Sequence, residues 1–389
     1  MKNSLIRIVA VTFLSIVSGL NYLHCQSFQV TVDPAVNGKI KLDPSLPGFV
    51  LDAGYYSVPG MWGQMYTEYM TSPYKITIDR DKRIGASFIR NSEVDHINVT
   101  PDVVYAKPGV KPLKYDVYSP RGAKNLPCII IIHGGGWVSN CEDIMRGLAR
   151  ELTRGGKFVV FSIDYRWAET KDGDAVGNTM ADLIDDVFGA IAHIMEHASE
   201  YGGDASRIGL TGDSAGGHLS AAAAVMADKI GSGGFGKVPG IFEFMPVYLP
   251  GNKTVDQVRV EMMKSIKAVA PSYGVFGGNL LKTYSTDPAA DNKWLEAISP
   301  INNIPDAKVR EVPHYLIRGT LDPLIKDADV RAYADALVRA GQRVEYVQVG
   351  GASHAFFDWK PDEMTKATFN KYGVYYASEM KNFFVSVLY

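Results

Sequence analysis

The hexapeptide Gly212-Asp213-Ser214-Ala215-Gly216-Gly217 is the most informative segment of the sequence. It follows the apolar run Arg207 to Thr211 and leads into an alanine-rich segment from Leu219 to Ala227. A short strand, then Gly-x-Ser-x-Gly, then a helix is the layout that sets a serine on a sharp turn. Glycine on both sides removes Cβ atoms that would collide with the adjoining strand and helix. The pattern predicts Ser214 as a nucleophile, although an ordinary glycine-rich turn has a similar composition.

A second glycine run, His133-Gly134-Gly135-Gly136-Trp137, follows the apolar segment Cys128 to Ile132. Such a segment suits a strand buried on both faces of a parallel sheet. Glycines at its end would let backbone N–H groups approach an acyl oxygen. We therefore expect the amides of Gly135, Gly136 and Ala215 to form an oxyanion hole. A phosphate-binding loop is the alternative, but no Gly-Lys-Ser/Thr follows and the glycine order differs from a dinucleotide fingerprint.

A serine hydroxyl needs a base, and the base needs a residue that orients it. Asp322 follows the strand-like segment Val312 to Ile317, and His354 follows the segment Val344 to Val349. Active residues gather at the carboxyl ends of strands in parallel α/β sheets. Asp322 could instead form a turn and His354 could be an ordinary loop histidine. Their joint placement after strands predicts a triad with Ser214.

Other titratable residues are weaker candidates for the chemistry. We expect Asp327 and Asp329 to lie in the first turn of a helix, which makes them poor substitutes for Asp322. The remaining candidates are expected to have supporting or structural roles; they are His133 and Asp213 at the glycine loops, His218 one helical turn past the serine, and His314 within a strand.

Strand-like and helix-like patterns alternate from residue 102 to residue 389, which predicts an α/β domain with a doubly wound, mostly parallel sheet. The expected strands include Leu113 to Tyr118, Phe158 to Ile163 and Ile241 to Tyr248. Thr179 is expected to cap a helix. A long stretch at about 250–303 reads as an insert, either a lid carrying Tyr273, Phe276, Tyr284 and Trp294 or extra structure.

Residues 26–92 predict a small all-β accessory domain, because short alternating strands are separated there by turn residues. The expected strands are Phe28 to Val32, Lys39 to Leu42, Tyr74 to Ile78 and Ile84 to Ile89. The segment resembles a divergent internalin-type B-repeat, which implies a spacer or accessory module. Residues 93–101 are polar and irregular, and we interpret them as a linker.

Residues 1–25 have the features of an export signal peptide, with Lys2 and Arg7 before a short apolar core. That core is too short to span a bilayer. We expect a secreted or periplasmic protein, with lipid anchoring at Cys25 as the alternative. In an oxidising compartment Cys128 and Cys141 could pair or remain free thiols.

The composition excludes some functions. The chain has 389 residues, of which 46% are hydrophobic, and a formal net charge of -2. It has neither a basic run nor the aromatic-basic alternation of nucleic-acid-binding proteins. No spacing of metal-ligand residues indicates a metal, and no cofactor is expected. The sequence does not indicate an oligomeric state.

Several motifs together resemble the α/β-hydrolases, in the esterase group related to hormone-sensitive lipase and most of all its bifunctional feruloyl and acetyl xylan esterase-like branch. The stretches that carry the resemblance are Leu113 to Tyr118, His133 to Trp137, Asp164 to Arg166, Tyr201 to Ile208 and Gly212 to His218. Ser139 to Glu142 departs from the usual pattern of the group.

The resemblance implies a serine carboxylesterase with the triad Ser214, Asp322 and His354 and a covalent acyl-enzyme. Together with the expected export and the β-rich N-terminal segment, it favours an acylated carbohydrate substrate, such as acetyl or feruloyl plant polysaccharide. The alternatives are a general short-chain lipid or xenobiotic esterase, a peptidase of the same fold, and a binding protein built on an inactive hydrolase fold.

Overall fold

The computed structural model describes residues 4–11, 25–32, 49–60, 63–69 and 82–389, except 110, 169–176, 233–242 and 285–291. The chain divides into two compact units, one of residues 1–95 with 360–362 and the other of residues 96–359 with 363–389. Each unit is described by itself.

The described strands of the first unit form one sheet in the order β1-β2-β5-β3-β4. Their bounds are β1 Ser4–Val11, β2 Cys25–Val32, β3 Phe49–Gly60, β4 Gly63–Tyr69 and β5 Lys82–Arg90, followed by the one-turn helix α1 Asn91–Val94. Within this sheet β2 pairs with β5 in parallel, and the other pairs are antiparallel. Strand β1 falls inside the predicted export signal, whose removal stays a prediction. The strands expected at Lys39 to Leu42 and Tyr74 to Ile78 lie outside the described residues.

The second unit is built on a mostly parallel sheet, which confirms the predicted fold class. Its described strands have the order β13-β12-β11-β10-β8-β9-β7-β6. Their bounds are β6 Ile97–Ala106, β7 Leu113–Pro120, β8 Leu126–Ile132, β9 Val159–Ile163, β10 Gly203–Asp213, β11 Ile266–Ser272, β12 His314–Gly319 and β13 Val344–Val349. Pairing is parallel from β13 through to β9 and antiparallel at β7 and β6.

Helices connect and cover these strands. Their bounds are α2 Arg146–Thr153, α3 Met180–His197, α4 Ala215–Met226, α5 Val255–Ser265, α6 Gly278–Tyr284, α7 Asn292–Ala297, α8 Asp327–Arg339, α9 Glu363–Thr368 and α10 Val374–Leu388. Shorter helical turns lie at Glu142–Met145, Ala198–Tyr201, Ala227–Lys229, Pro300–Asn302 and Phe369–Gly373. Helix α2 packs against α10, and α3 packs against α4 and α5. As expected, Thr179 caps α3 in a reciprocal capping box with Asp182.

Burial explains which strands occupy the centre of the sheet. Residues Cys128 to Ile132 of β8 are fully buried, and successive strand residues point to opposite faces, so both faces of β8 are covered. Strand β6 instead alternates between exposed and partly buried residues along much of its length, as an edge strand does. This strand begins at Ile97, so residues 97–101, interpreted from the sequence as linker, belong to the sheet. Their polar side chains on one face concealed the strand pattern.

One predicted strand was wrong. Among the described residues 243–248 the only strand-like pairing is an isolated bridge between Phe244 and Ile230. Strand β10 pairs with β8 on one side and with β11 on the other, and β11 lies inside the stretch predicted as an insert. Lys267 and Pro271 interrupt the apolar run of β11 and hid it from the pattern. Proline is tolerated near the end of such a strand because fewer ladder bonds are needed there.

Two observations bear on the compartment of the protein. Cys128 and Cys141 are both free thiols, so they do not form a disulfide with each other. Among the described residues, no helix combines the length and apolar character required to cross a bilayer. Export and anchoring at Cys25 remain predictions.

Candidate active site

Ser214 lies on a strained turn between β10 and α4. Its backbone has φ 51° and ψ −114°, a region that residues with a Cβ rarely occupy. The turn is held by a hydrogen bond from the Ser214 amide to the Ser272 carbonyl, 3.0 Å long. A Cβ on Gly216 would lie 2.0 Å from the Ile132 carbonyl oxygen. Glycine is required at this position because the start of α4 packs directly against the end of β8.

The structure brings Ser214, His354 and Asp322 together. Nε2 of His354 lies 2.9 Å from the Ser214 hydroxyl oxygen, and Nδ1 lies 2.8 Å from Oδ2 of Asp322. Ser214 follows β10, Asp322 follows β12 and His354 follows β13. The sheet therefore brings together residues that are far apart in the chain. With Asp322 as the acceptor, Nδ1 carries a proton and Nε2 is free to accept one from the serine.

Asp322 is fixed by its own loop. Its Oδ1 accepts hydrogen bonds from the amides of Leu324 and Ile325, each 2.9 Å long. Burial alone would raise the pKa of Asp322, but the hydrogen bond and positive charge of His354, together with these two amides, lower it below its ordinary value. The carboxyl group is therefore ionised and oriented toward the imidazole.

The glycine loop after β8 is held in an unusual conformation beside Ser214. Gly135 has φ +125°, and a Cβ on it would lie 2.3 Å from the Ser139 carbonyl oxygen. The Ser139 hydroxyl donates to the Gly135 carbonyl over 2.7 Å, and the Gly134 amide donates to Oδ1 of Asp213 over 2.6 Å. In the described part of the chain, the amides of Gly135 and Gly136 have no protein acceptor. These N–H groups are available to a ligand oxygen.

Two aromatic contacts fix the ends of the glycine loop. His133 stacks on Tyr165 with ring centroids 4.2 Å apart, and the Tyr165 hydroxyl donates to the His133 carbonyl over 2.9 Å. At the other end the Trp137 indole N–H donates to Nδ1 of His218 over 3.3 Å. Both imidazoles therefore hold the loop, as expected for His133, and His218 also donates its backbone N–H to the Ser214 carbonyl over 3.1 Å.

Sequence reasoning did not assign Tyr273 to the site. The prediction grouped it with a possible lid, but it is buried directly after β11, and its ring meets that of His354 edge-on at 4.8 Å. Its hydroxyl accepts a hydrogen bond from the Phe357 amide, 3.1 Å long. Tyr273 has a positive φ of 35° and comes directly after β11, the strand that the pattern analysis missed. Once β11 is recognised, Tyr273 falls at a strand end like the triad residues.

Asp358 was also missed, because nothing in the local sequence marks it. It lies beside Asp213, and burial, followed by the charge of Asp358, raises the pKa of Asp213 well above its ordinary value. The raised pKa favours the protonated form of the buried Asp213 carboxyl beside the partly buried Asp358. The pair sits behind the turn that carries Ser214 and holds the Gly134 amide.

Three residues considered from the sequence lie away from the reacting groups. Asp327 begins α8 and bonds to Arg331 and Tyr346, and Asp329 lies in the same turn, as expected. His314 is buried in β12, where its nitrogens contact the Val312 carbonyl and the Tyr333 hydroxyl.

Comparison with known proteins adds to this geometry. A profile of the alpha/beta hydrolase fold family matches residues 129–358, a range that contains all three triad residues and the glycine loop.

Curated relatives include carboxylesterase NlhH and carboxylic ester hydrolase LipN, both from Mycobacterium tuberculosis. The first is 38% identical over 124 residues, which are 32% of this chain and 37% of the relative. The second is 28% identical over 274 residues, which are 68% of this chain and 65% of the relative. The chain thus spans between about a third and two thirds of the length of these relatives.

Solved structures with the same fold include esterase 2 of Thermogutta terrifontis phosphoramylated by tabun, with a TM-score of 0.54 and 24% identity over 73% of this chain and 93% of that chain. A truncated carbohydrate esterase from gut microbiota has a TM-score of 0.54 and 22% identity, covering 74% of this chain and 95% of that chain. At this level of identity the likeness concerns the fold.

Proposed function

Since the chain belongs to the alpha/beta hydrolase fold family, we propose that it is a serine esterase that hydrolyses carboxylic esters through a covalent acyl-enzyme. The observation that carries the proposal is the hydrogen-bonded series from Ser214 through His354 to Asp322, next to the free amides of the glycine loop. The names of the curated relatives, carboxylesterase and carboxylic ester hydrolase, support the same reaction.

In the first half of the reaction, Ser214 attacks the carbonyl carbon of the ester. His354 accepts the hydroxyl proton at Nε2 as the new C–O bond forms, and Asp322 stabilises the resulting imidazolium. When the tetrahedral intermediate collapses, the bond to the alcohol oxygen breaks and His354 returns its proton to that oxygen. The alcohol leaves and the acyl group stays on Ser214.

Water completes the reaction by the same route. His354 removes a proton from the water, whose oxygen attacks the acyl carbon, and then protonates Ser214 Oγ as the acid departs. In both halves negative charge develops on the former carbonyl oxygen. The amides of Gly135, Gly136 and Ala215 are the donors for it, and each such donor typically contributes about 2.7–4 kcal/mol of transition-state stabilisation.

The substrate that we propose is an acylated carbohydrate, such as an acetylated or feruloylated plant polysaccharide. The support for it is the predicted export and the motif resemblance described above. A short-chain lipid or xenobiotic ester would use the same residues. Hydrolysis rates on acetylated xylan, feruloylated xylan and tributyrin separate the two, and activity on tributyrin alone would contradict the carbohydrate proposal.

The reaction itself is tested by Ser214→Ala, with Ser353→Ala as a matched control. Ser353 is exposed and adjacent to the base, so its hydroxyl should not contribute. We expect Ser214→Ala to lose about 10⁶-fold in the kcat of p-nitrophenyl acetate hydrolysis and all labelling by a fluorophosphonate, while circular dichroism stays unchanged. Full activity of Ser214→Ala would refute the assignment, and absence of labelling in the wild type would indicate an inactive hydrolase fold.

A further inference from the structure

Three carboxylates converge on the side of the sheet where β6 and β7 pair. Asp102 lies in β6, Asp116 in β7, and Glu142 at the start of the helical turn that follows the glycine loop. One oxygen from each lies within 4.8 Å of the others. Asp116 and Glu142 are each only 2% exposed, so two of the three carboxylates are shielded from water.

The charge of this cluster is not balanced by its neighbours. Lys114 is the cation in contact, since its Nζ pairs with Asp102 and lies 3.4 Å from Oε1 of Glu142. Other nearby basic groups are already used, because Arg146 pairs with Asp143 at 2.6 Å and Lys111 with Asp164 at 2.7 Å. Among the described residues, three carboxylates therefore share one ammonium group.

An independent observation concerns a buried carboxylate oxygen of Glu142. Oε2 of Glu142 is buried and has no hydrogen-bond partner among the described residues. A buried acceptor without a donor is costly, and more so when it is charged. The Lys114 ammonium therefore does not satisfy the whole cluster, since it pairs with Oε1 of Glu142 while Oε2 stays without a donor.

We propose that Asp102, Asp116 and Glu142 bind one divalent calcium ion. Oxygen-only ligands favour hard cations such as Ca²⁺. Ligand oxygens at about 2.3–2.6 Å from a calcium ion are at most about 5 Å from one another, which agrees with the spacing of this cluster. Asp102, whose side chain is 65% exposed, leaves the site open to water ligands.

Lys114 has to leave the cluster when the cation enters. Its side chain is 29% exposed, so its ammonium group can turn to solvent without crossing the core. Lys114 then acts as a competing cation that holds the carboxylates together when calcium is absent. Removing it should tighten calcium binding.

The site connects to the glycine loop. Glu142 follows Trp137 by one short segment, and its carbonyl accepts a hydrogen bond from the Ser162 hydroxyl over 2.8 Å. A cation at Glu142 would therefore fasten the end of the glycine loop to β6 and β7. Binding of the ion does not depend on the proposed esterase activity, so the two proposals can fail separately.

Terbium(III), which occupies calcium sites, tests the proposal on the full chain after treatment with a chelator. The Tyr118 hydroxyl lies 3.5 Å from Oδ2 of Asp116, so excitation of tyrosine should sensitise terbium emission. We expect saturable emission that calcium displaces with a dissociation constant of about 1 mM or lower. Asp116→Asn and Glu142→Gln should each weaken binding at least about 10-fold, and the exposed Asp256→Asn should leave it unchanged.

Calorimetric titration with calcium chloride gives a second readout. Lys114→Met should bind more tightly than the wild type, and calcium should raise the unfolding temperature of the wild type but not that of Glu142→Gln. The wild-type measurements decide the outcome even if a variant fails to fold. Absence of calcium binding by the wild type up to about 10 mM, or equal binding by wild type and Glu142→Gln, would overturn the proposal.

Discussion

Replacing Asp322 with asparagine should reverse the polarity of the triad while leaving the loop intact. Oδ1 of Asp322 faces two amide donors, Leu324 and Ile325, so the carbonyl oxygen of the asparagine must occupy that position. Its NH₂ group then replaces Oδ2, 2.8 Å from Nδ1 of His354. Because an NH₂ group donates, Nδ1 becomes the acceptor and the imidazole proton moves to Nε2. The nitrogen facing Ser214 can then no longer accept a proton.

The expected loss is about 10⁴-fold in kcat, the effect of the wrong imidazole tautomer in serine hydrolases, equivalent to about 5 kcal/mol. The assay is the steady-state hydrolysis of p-nitrophenyl acetate, with the rate of fluorophosphonate labelling as a second measure. Labelling should slow in parallel, because it requires the same activated hydroxyl. The unfolding midpoint in urea should change little, since both loop hydrogen bonds to Oδ1 are retained.

Asp327→Asn is the matched control for Asp322→Asn. Asp327 lies in the same segment, but it contacts Arg331, Tyr346 and Gln348 instead of the imidazole. It should keep kcat within about 2-fold of wild type, since exposed ion pairs contribute little. A rate for Asp322→Asn above about a tenth of the wild-type rate, with the fold preserved, would refute the tautomer argument.

Two further predictions concern stability. Gly216→Ala should destabilise the protein by more than about 2 kcal/mol and reduce activity, because its Cβ would lie 2.0 Å from the Ile132 carbonyl oxygen. Gly251→Ala is the control and should be neutral, since a Cβ there would meet open space. Equal urea midpoints for the two variants would contradict this prediction. Burial lowers the pKa of His218 to about 4, so the unfolded state binds its proton first and stability is lost as pH falls from about 6.5 toward 4. His218→Gln should therefore lose about 2 kcal/mol less than wild type between pH 7 and pH 5 in urea unfolding, and identical losses would count against a buried neutral histidine.

The residues proposed to react could be located from the sequence because each is marked locally. Ser214 stands between glycines that the turn requires, and both Asp322 and His354 directly follow apolar strand patterns. Strand ends of a parallel sheet meet at one edge, so local patterns were sufficient to predict that distant residues approach one another. The same reasoning gave the α/β fold.

Features that depend on pairing across the sheet could not be found in this way. Strand β11 was missed because Lys267 and Pro271 break its apolar run, and the error displaced Tyr273 from the site. Asp358 lies beside Asp213 only because the loop after β13 folds back over the serine turn. No spacing along the chain predicts such contacts, since they are decided by tertiary packing.

The position of β13 in the sheet has a consequence for heat tolerance. Among the described strands it is outermost, with β12 as its one neighbour, and most of its side chains are only partly covered. Outer strands open locally at a lower free energy than the interior of a domain. The imidazole is carried on the loop after this strand, so turnover would cease through fraying at one margin while the bulk of the molecule stayed native. Reinforcing that margin, rather than enlarging the core, is the direct way to extend the temperature range of the proposed activity.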